Sequence, residues 1–190
     1  TVNRVLLLIT ALLLSACSSE SDKQYYQLPS VPVATPAVAS SASLTGNQHV
    51  LWIEPVSVSD YLSGNGLAYQ TSDVQYVIAT SNLWASPLDQ QLQQTLVSNL
   101  SQLMPGWLVT GSLAGNNYDT LSVTVTGFHG RYDGKAIISG SWILQKGDKT
   151  LRRPFSLVLK QDKDGYAALV RTLAEGWQQE ARQIAQQISQ

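Results

Sequence analysis

Leu14-Ser15-Ala16-Cys17 holds the sole cysteine of the chain, and its surroundings say what that sulfur can do. It follows an apolar run from Val5 to Leu14, with Arg4 ahead of the run and the small residues Ser15 and Ala16 directly before the thiol. Basic, apolar, small, then Cys is the order of a bacterial lipobox. The chemistry is cleavage between Ala16 and Cys17, with fatty acyl chains added to the sulfur and to the new amino group. The ten-residue run would rise only about 15 Å as a helix, half of a hydrocarbon core of about 30 Å. It therefore reads as a targeting segment rather than a membrane span. One acyl chain binds a bilayer marginally, at about 0.8 kcal/mol per methylene; several on Cys17 would hold the chain at a membrane without a spanning helix. Ser18 and Ser19, in place of Asp, direct the expectation to the periplasmic face of the outer membrane.

Other reactive constellations are sparse. The chain has two histidines, His49 and His129, and no Cys/His cluster suited to zinc. It contains no Gly-x-Ser-x-Gly elbow and no Walker sequence. Gly64-Asn65-Gly66 lacks the third glycine of a dinucleotide fingerprint. A Ser-His-Asp site using His129 and Asp133 can be drawn, but no spacing fixes its geometry, and His129 reads as a partly exposed strand residue. Asp60 and Asp73 stand beside tight turns, where Asp bonds nearby backbone. Trp52, Trp84, Trp107, Trp142 and Trp177 read as core, with one or two exposed members available as partner anchors. No catalytic residue, cofactor or metal ligand is assigned.

Charge points the same way. Lys and Arg total 12 and Asp and Glu 13; cleavage before Cys17 would remove Arg4 and move the balance from −1 to −2. No basic face is available for nucleic acid. Charged residues make up 13%, against about 25% in typical domains, with Gln, Ser, Thr and Asn in their place. That composition suits both the periplasm and a surface covered by neighbours.

The elements that would carry these residues fit one domain. Residues 1–16 form the signal, 17–24 the lipidated start and tether, and 25–190 the body, with 30–48 a Pro/Ala/Ser-rich flexible loop. Tyr25 and Tyr26 suggest a short strand, which would seat the body close to the lipid head groups. Val50 to Ile53, with Val56 and Val58, reads as a buried strand, and Pro55 should place its end at an edge or a bulge. Residues 61–66 read as a turn whose glycines supply positive φ. Leu67–Gln70 and Val74–Ile78 form a hairpin around Thr71-Ser72-Asp73.

Ser86 is expected to cap a helix, with Pro87 at its first position and Asp89 in its first turn. Leu88, Leu92, Leu96, Leu100 and Leu103 make its apolar stripe. Gln90, Gln91, Gln93, Gln94 and Gln102 fill the remainder, and these exposed Gln-rich faces are candidate contacts. Trp107–Val109 opens a strand. Leu121, Val123 and Val125 alternate with polar residues. Asp133-Gly134 turns the chain into Lys135–Gln145, and Leu151–Lys160 follows. Asp164 can cap a last helix carrying Tyr166, Leu169, Val170, Leu173, Trp177, Ile184 and Ile188, with Gly176 inside it. Strands, helix, strands, helix predicts a mixed α/β fold, a mixed sheet with both long helices packed against it.

Several stretches resemble the ABC-type transport auxiliary lipoprotein family. They are the lipobox with Ser18-Ser19, Tyr25-Tyr26-Gln27-Leu28-Pro29, Asp60 to Gly66, Tyr69 to Val74, Asn82 to Leu92, Gly130 to Lys135 and Arg153-Pro154-Phe155. The resemblance covers nearly the whole chain, and the 30–48 loop matches least. It implies a mixed α/β fold related to TolB amino-terminal and anticodon-binding domains. It also implies an outer-membrane lipoprotein working with a PqiB-like protein of stacked MCE domains that forms a hydrophobic tunnel, and with a PqiA-like inner-membrane protein, in lipid trafficking and membrane integrity. It supplies no catalytic residue; only the lipidated Cys17 carries over. The expected role is a non-enzymatic dock for the tunnel at the outer membrane, with a homo-oligomeric ring matching a ring-shaped partner. The alternative is a periplasmic lipid-binding shuttle or receptor.

Overall fold

The computed structural model describes residues 22–30, 48–113 and 115–190. Cys17, Ala16, the signal segment and most of the 30–48 loop lie outside the described residues.

The sheet is organised by one long strand. Leu121, Val123 and Val125 alternate with polar residues, and each is buried in strand β7 (Asp119–Arg131). On one edge β7 pairs antiparallel along its length with β8 (Lys135–Lys146), which pairs with β9 (Lys149–Lys160). On its other edge three shorter strands succeed one another, all parallel to it: β2 (His49–Ile53), β3 (Ser57–Val58) and β4 (Gly66–Gln70). Pro55 separates β2 from β3, so the run expected as one strand is two. At one end the sheet continues from β2 to β6 (Trp107–Thr110), in parallel. At the other it continues from β4 through antiparallel β5 (Tyr76–Trp84) to β1 (Gln24–Tyr26), which lies parallel to β5. Strand β5 is longer than the alternation suggested, because it is stitched on both sides.

Helix α1 (Leu88–Leu103) and helix α2 (Tyr166–Ile188) pack against one another and onto the sheet, α2 along β7, β8 and β9 and α1 on β6. The stripe leucines of α1 are buried from Leu88 to Leu100, while Leu103 is half-buried at the end of the core. Trp84, Phe128, Trp142 and Trp177 fill the layer between helices and sheet, with Phe128 edge-on to Trp177 at 6.3 Å.

Several local expectations are corrected. Helix α1 starts at Leu88, and neither Pro87 at its cap position nor Ser86 makes a side-chain cap. Helix α2 is preceded by Gly165, not capped by Asp164. Gln91 is not on an exposed face but 1% exposed. Positive φ falls on Gly134 and Gly147 in the hairpin turns, not on Gly64 or Gly66. Gly66 is needed for a different reason: a Cβ there would run into the Ala79 carbonyl across the irregular β4–β5 pairing.

Candidate functional site

The residues that could carry chemistry are tied into structure. A register shift between Val125 and Gly127 turns β7 over, so Phe128 and Gly130 face the helices and His129 faces the other side of the sheet. There it is 2% exposed, which corrects the expectation of partial exposure. Tyr76 of β5 stands edge-on to its ring at 5.1 Å, and Tyr61 lies 6.2 Å away. Tyr61 comes from the short 3₁₀ turn Asp60–Leu62 and donates its hydroxyl to the Thr126 carbonyl at 2.5 Å. Burial, and to a lesser degree Tyr76, push its phenol up to about 12. His129 Nδ1 lies 2.8 Å from the Gly130 carbonyl, to which it donates. Burial holds the imidazole below its ordinary value, opposed by that carbonyl and helped by Arg131. A neutral ring with one nitrogen committed to backbone makes a packing piece.

Asp133 does not join it. Its two oxygens accept from Arg131 Nε at 2.8 Å and Nη2 at 2.9 Å, and Lys135 stands 3.6 Å away. The Arg131 guanidinium holds the carboxyl below the usual range. The pair clamps the β7–β8 turn, and the imagined triad is not assembled. The Asp60 carbonyl accepts from the Ser63 N–H at 3.1 Å and from its hydroxyl at 2.6 Å, a turn role. Asp73 sits exposed in the β4–β5 turn. His49 stacks on Trp107 at 4.5 Å, capping the β2–β6 edge. Trp84, Trp142 and Trp177 are core; Trp52 and Trp107 are half-buried. Among the described residues no group of three His, Cys, Asp or Glu is placed to hold a metal ion, and no helix is long and apolar enough to cross a membrane.

Several polar side chains are buried without a signal of residue type, Gln91 and Glu180 the most fully among them. Gln91 links the N-terminal arm to α1. Glu180, 1% exposed on α2, accepts from the Trp142 indole while its Oε2 has no partner. Burial raises its carboxyl to about 7 against the Trp142 bond. The spacing Leu173, Trp177, Glu180, Ile184 puts it on the apolar stripe, and that register was the available signal.

The N-terminal arm is the part of the body nearest to the candidate lipidation site. Gln24, Tyr25 and Tyr26 pair with Asn82, Leu83 and Trp84. The Tyr26 hydroxyl donates to Asn82 at 3.1 Å, and Leu28 is buried against α1. The arm is thus fastened within a few residues of position 17.

Comparison with known proteins agrees with this architecture. Residues 26–185 match the model of the ABC-type transport auxiliary lipoprotein component. The chain is 55% identical, over 96% of itself and of the relative, to the intermembrane transport lipoprotein PqiC of Escherichia coli (strain K12), and equally to that of Shigella flexneri. A crystal structure of an uncharacterized protein superposes with a TM-score of 0.79 at 54% identity, covering 88% of this chain and 99% of that one. A protein from Xanthomonas campestris shares the fold at a TM-score of 0.68 and 17% identity, over 85% and 92% of the two chains.

Proposed function

The chain belongs to the ABC-type transport auxiliary lipoprotein family, and from that premise we propose that it is an outer-membrane-anchored periplasmic dock for an MCE tunnel. Cys17 carries the acyl chains, and the folded body carries the partner surface. The observation that carries this reading is the 55% identity to an intermembrane transport lipoprotein along nearly the whole of both chains. The geometry supports a non-enzymatic role, because the His129 ring is committed to stacking and the Asp133 carboxylate to an ion pair. The filled layer between helices and sheet also favours a dock over a shuttle: an acyl chain entering that layer would have to displace Phe128, Trp142 or Trp177, all nearly inaccessible.

A Cys17→Ala variant in cells, scored for fractionation with the outer membrane and for detergent resistance, tests the anchor. The expected result is loss from the outer-membrane fraction with loss of resistance. Retention in the outer membrane without acylation would overturn the reading. Co-purification of the wild-type chain with the MCE-domain protein tests the dock, and a failure to associate at high concentration would count against it.

A further inference from the structure

The apolar side chains left on the surface gather where the chain arrives from the membrane. Strand β1 runs parallel to β5, with Gln24 level with Asn82, so the peptide reaching Gln24 comes from the Tyr76 end of β5. Asp22 is two residues earlier, and five peptide steps separate it from Cys17. Those steps reach at most about 18 Å. The same number of residues separates Gln75, at the tip of the β4–β5 hairpin, from Thr80, the residue level with position 22 on β5. An acylated Cys17 and that hairpin tip can therefore lie at one height.

The tip is apolar in an unusual way. Val74 is 79% exposed, and Tyr76, Val77 and Ile78 are exposed at 44%, 49% and 43%. Tyr132, 58% exposed, sits beside them on the β7–β8 turn, whose N–H donates to the Gln70 carbonyl at 2.9 Å. These five are half of the ten large hydrophobic residues exposed among the described residues. Scattered single exposures are normal; a cluster on one end marks an interaction surface. Its tyrosines suit a layer that is apolar on one side and wet on the other. Asp73 next to Val74 limits entry to the head-group boundary, a depth of about 5–10 Å.

We propose that the β4–β5 hairpin tip and the Tyr132 turn form a shallow membrane-contact surface that seats the body on the lipid bilayer beside its own acyl anchor. The orientation rests on the acylation of Cys17 proposed above.

The test uses the full acylated chain in vesicles of phosphatidylethanolamine and phosphatidylglycerol. With the sulfur of Cys17 acylated, Val74→Cys offers one free thiol for an environment-sensitive dye. Asp148→Cys, in the β8–β9 turn at the opposite end, is the control. Lipids bearing a nitroxide near the head group should remove roughly half of the emission at position 74 and little at 148. An unquenched label at 74, or equal quenching at both sites, would overturn the surface. A blue shift at 74 without nitroxide quenching would mean contact between copies and would overturn it equally. Intact mass of the same sample reports acylation separately. Without acyl chains the anchoring reading fails on its own, and a Cys17→Ser, Val74→Cys chain labelled at position 74 and added to the vesicles still decides the surface.

Discussion

The backbone N–H of Leu28 donates to Oε1 of Gln91 at 2.8 Å, while Nε2 of the same amide donates to the Ser86 carbonyl at 2.8 Å. One buried side chain thus joins the N-terminal arm to helix α1 and satisfies a carbonyl where no cap is present. Gln91→Leu leaves the Leu28 N–H and the Ser86 carbonyl without these partners, at a cost of about 1–3 kcal/mol. Gln91→Glu keeps the acceptor but sets a buried carboxylate oxygen against the Ser86 carbonyl, so at neutral pH it should cost at least as much as Gln91→Leu. Urea unfolding measures the loss. Hydrogen exchange at Leu28 shows whether the arm is what loosens: faster exchange there in Gln91→Leu is expected, and unchanged exchange would break the link between the amide and the arm.

Glu180 should make the protein less stable as pH rises. Its carboxyl stands at about 7 in the fold, against an ordinary 4.5. Between those values the folded state holds a proton that the unfolded chain has lost, so stability declines from about pH 4.5 to about 7 and levels off above. The full loss is on the order of 3 kcal/mol. Glu180→Gln carries no charge to bury and should flatten that decline. Thermal unfolding from pH 5 to 8 checks it; a variant with the wild-type slope would mean that the carboxylate finds solvent.

His129 works in the opposite sense. Burial lowers its folded pKa, so its stabilising contribution is complete above the unfolded value of about 6.5 and is lost as pH falls. His129→Leu should therefore lose less stability than wild type between pH 7 and 5. It should also keep envelope function in cells, since the buried ring packs against Tyr76 and donates to the Gly130 carbonyl. A detergent-sensitive strain with normally folded His129→Leu protein would restore catalysis as a possibility.

The local pattern carried the elements further than their arrangement. Leu121, Val123 and Val125 announce a half-covered strand, and the α1 leucines announce a helix, because burial on one side writes a period of two or of 3.6 into adjacent residues. The expectation of a lipobox is local in the same sense, resting on contiguous residues that lie outside the described ones. Partner choice is not local. Nothing within Tyr25-Tyr26 says that they lie parallel to Leu83 and Trp84, and nothing within β2, β3 or β4 says that all three share one edge of β7. His129 is hidden because Tyr61 and Tyr76 arrive from distant turns and because a bulge reverses the strand before it. Residue type sends Gln91 to the exposed face and leaves Glu180 unmarked, whereas burial follows helix position.

Gly176 separates the two levels of argument. Helix propensity alone predicts that Gly176→Ala gains about 1 kcal/mol. The fold reverses the sign: a Cβ on Gly176 would overlap Cδ1 of Ile138 on β8 and approach Cδ1 of Leu159 on β9 to 3.1 Å. Ile138 is fully buried, so its Cδ1 would have to move within the core, against Leu159 on the same side. Overpacking of this kind costs about 1–3 kcal/mol, so Gly176→Ala should unfold at lower urea than wild type. Ile138→Val removes the methyl that the new Cβ would strike. Alone it should destabilise by about 0.5–1.5 kcal/mol, but combined with Gly176→Ala it should return part of the loss. A double-mutant cycle in urea reads that coupling directly. Strict additivity would mean that α2 shifts away from β8 as a whole, and that the helix seat is softer than its close approach suggests.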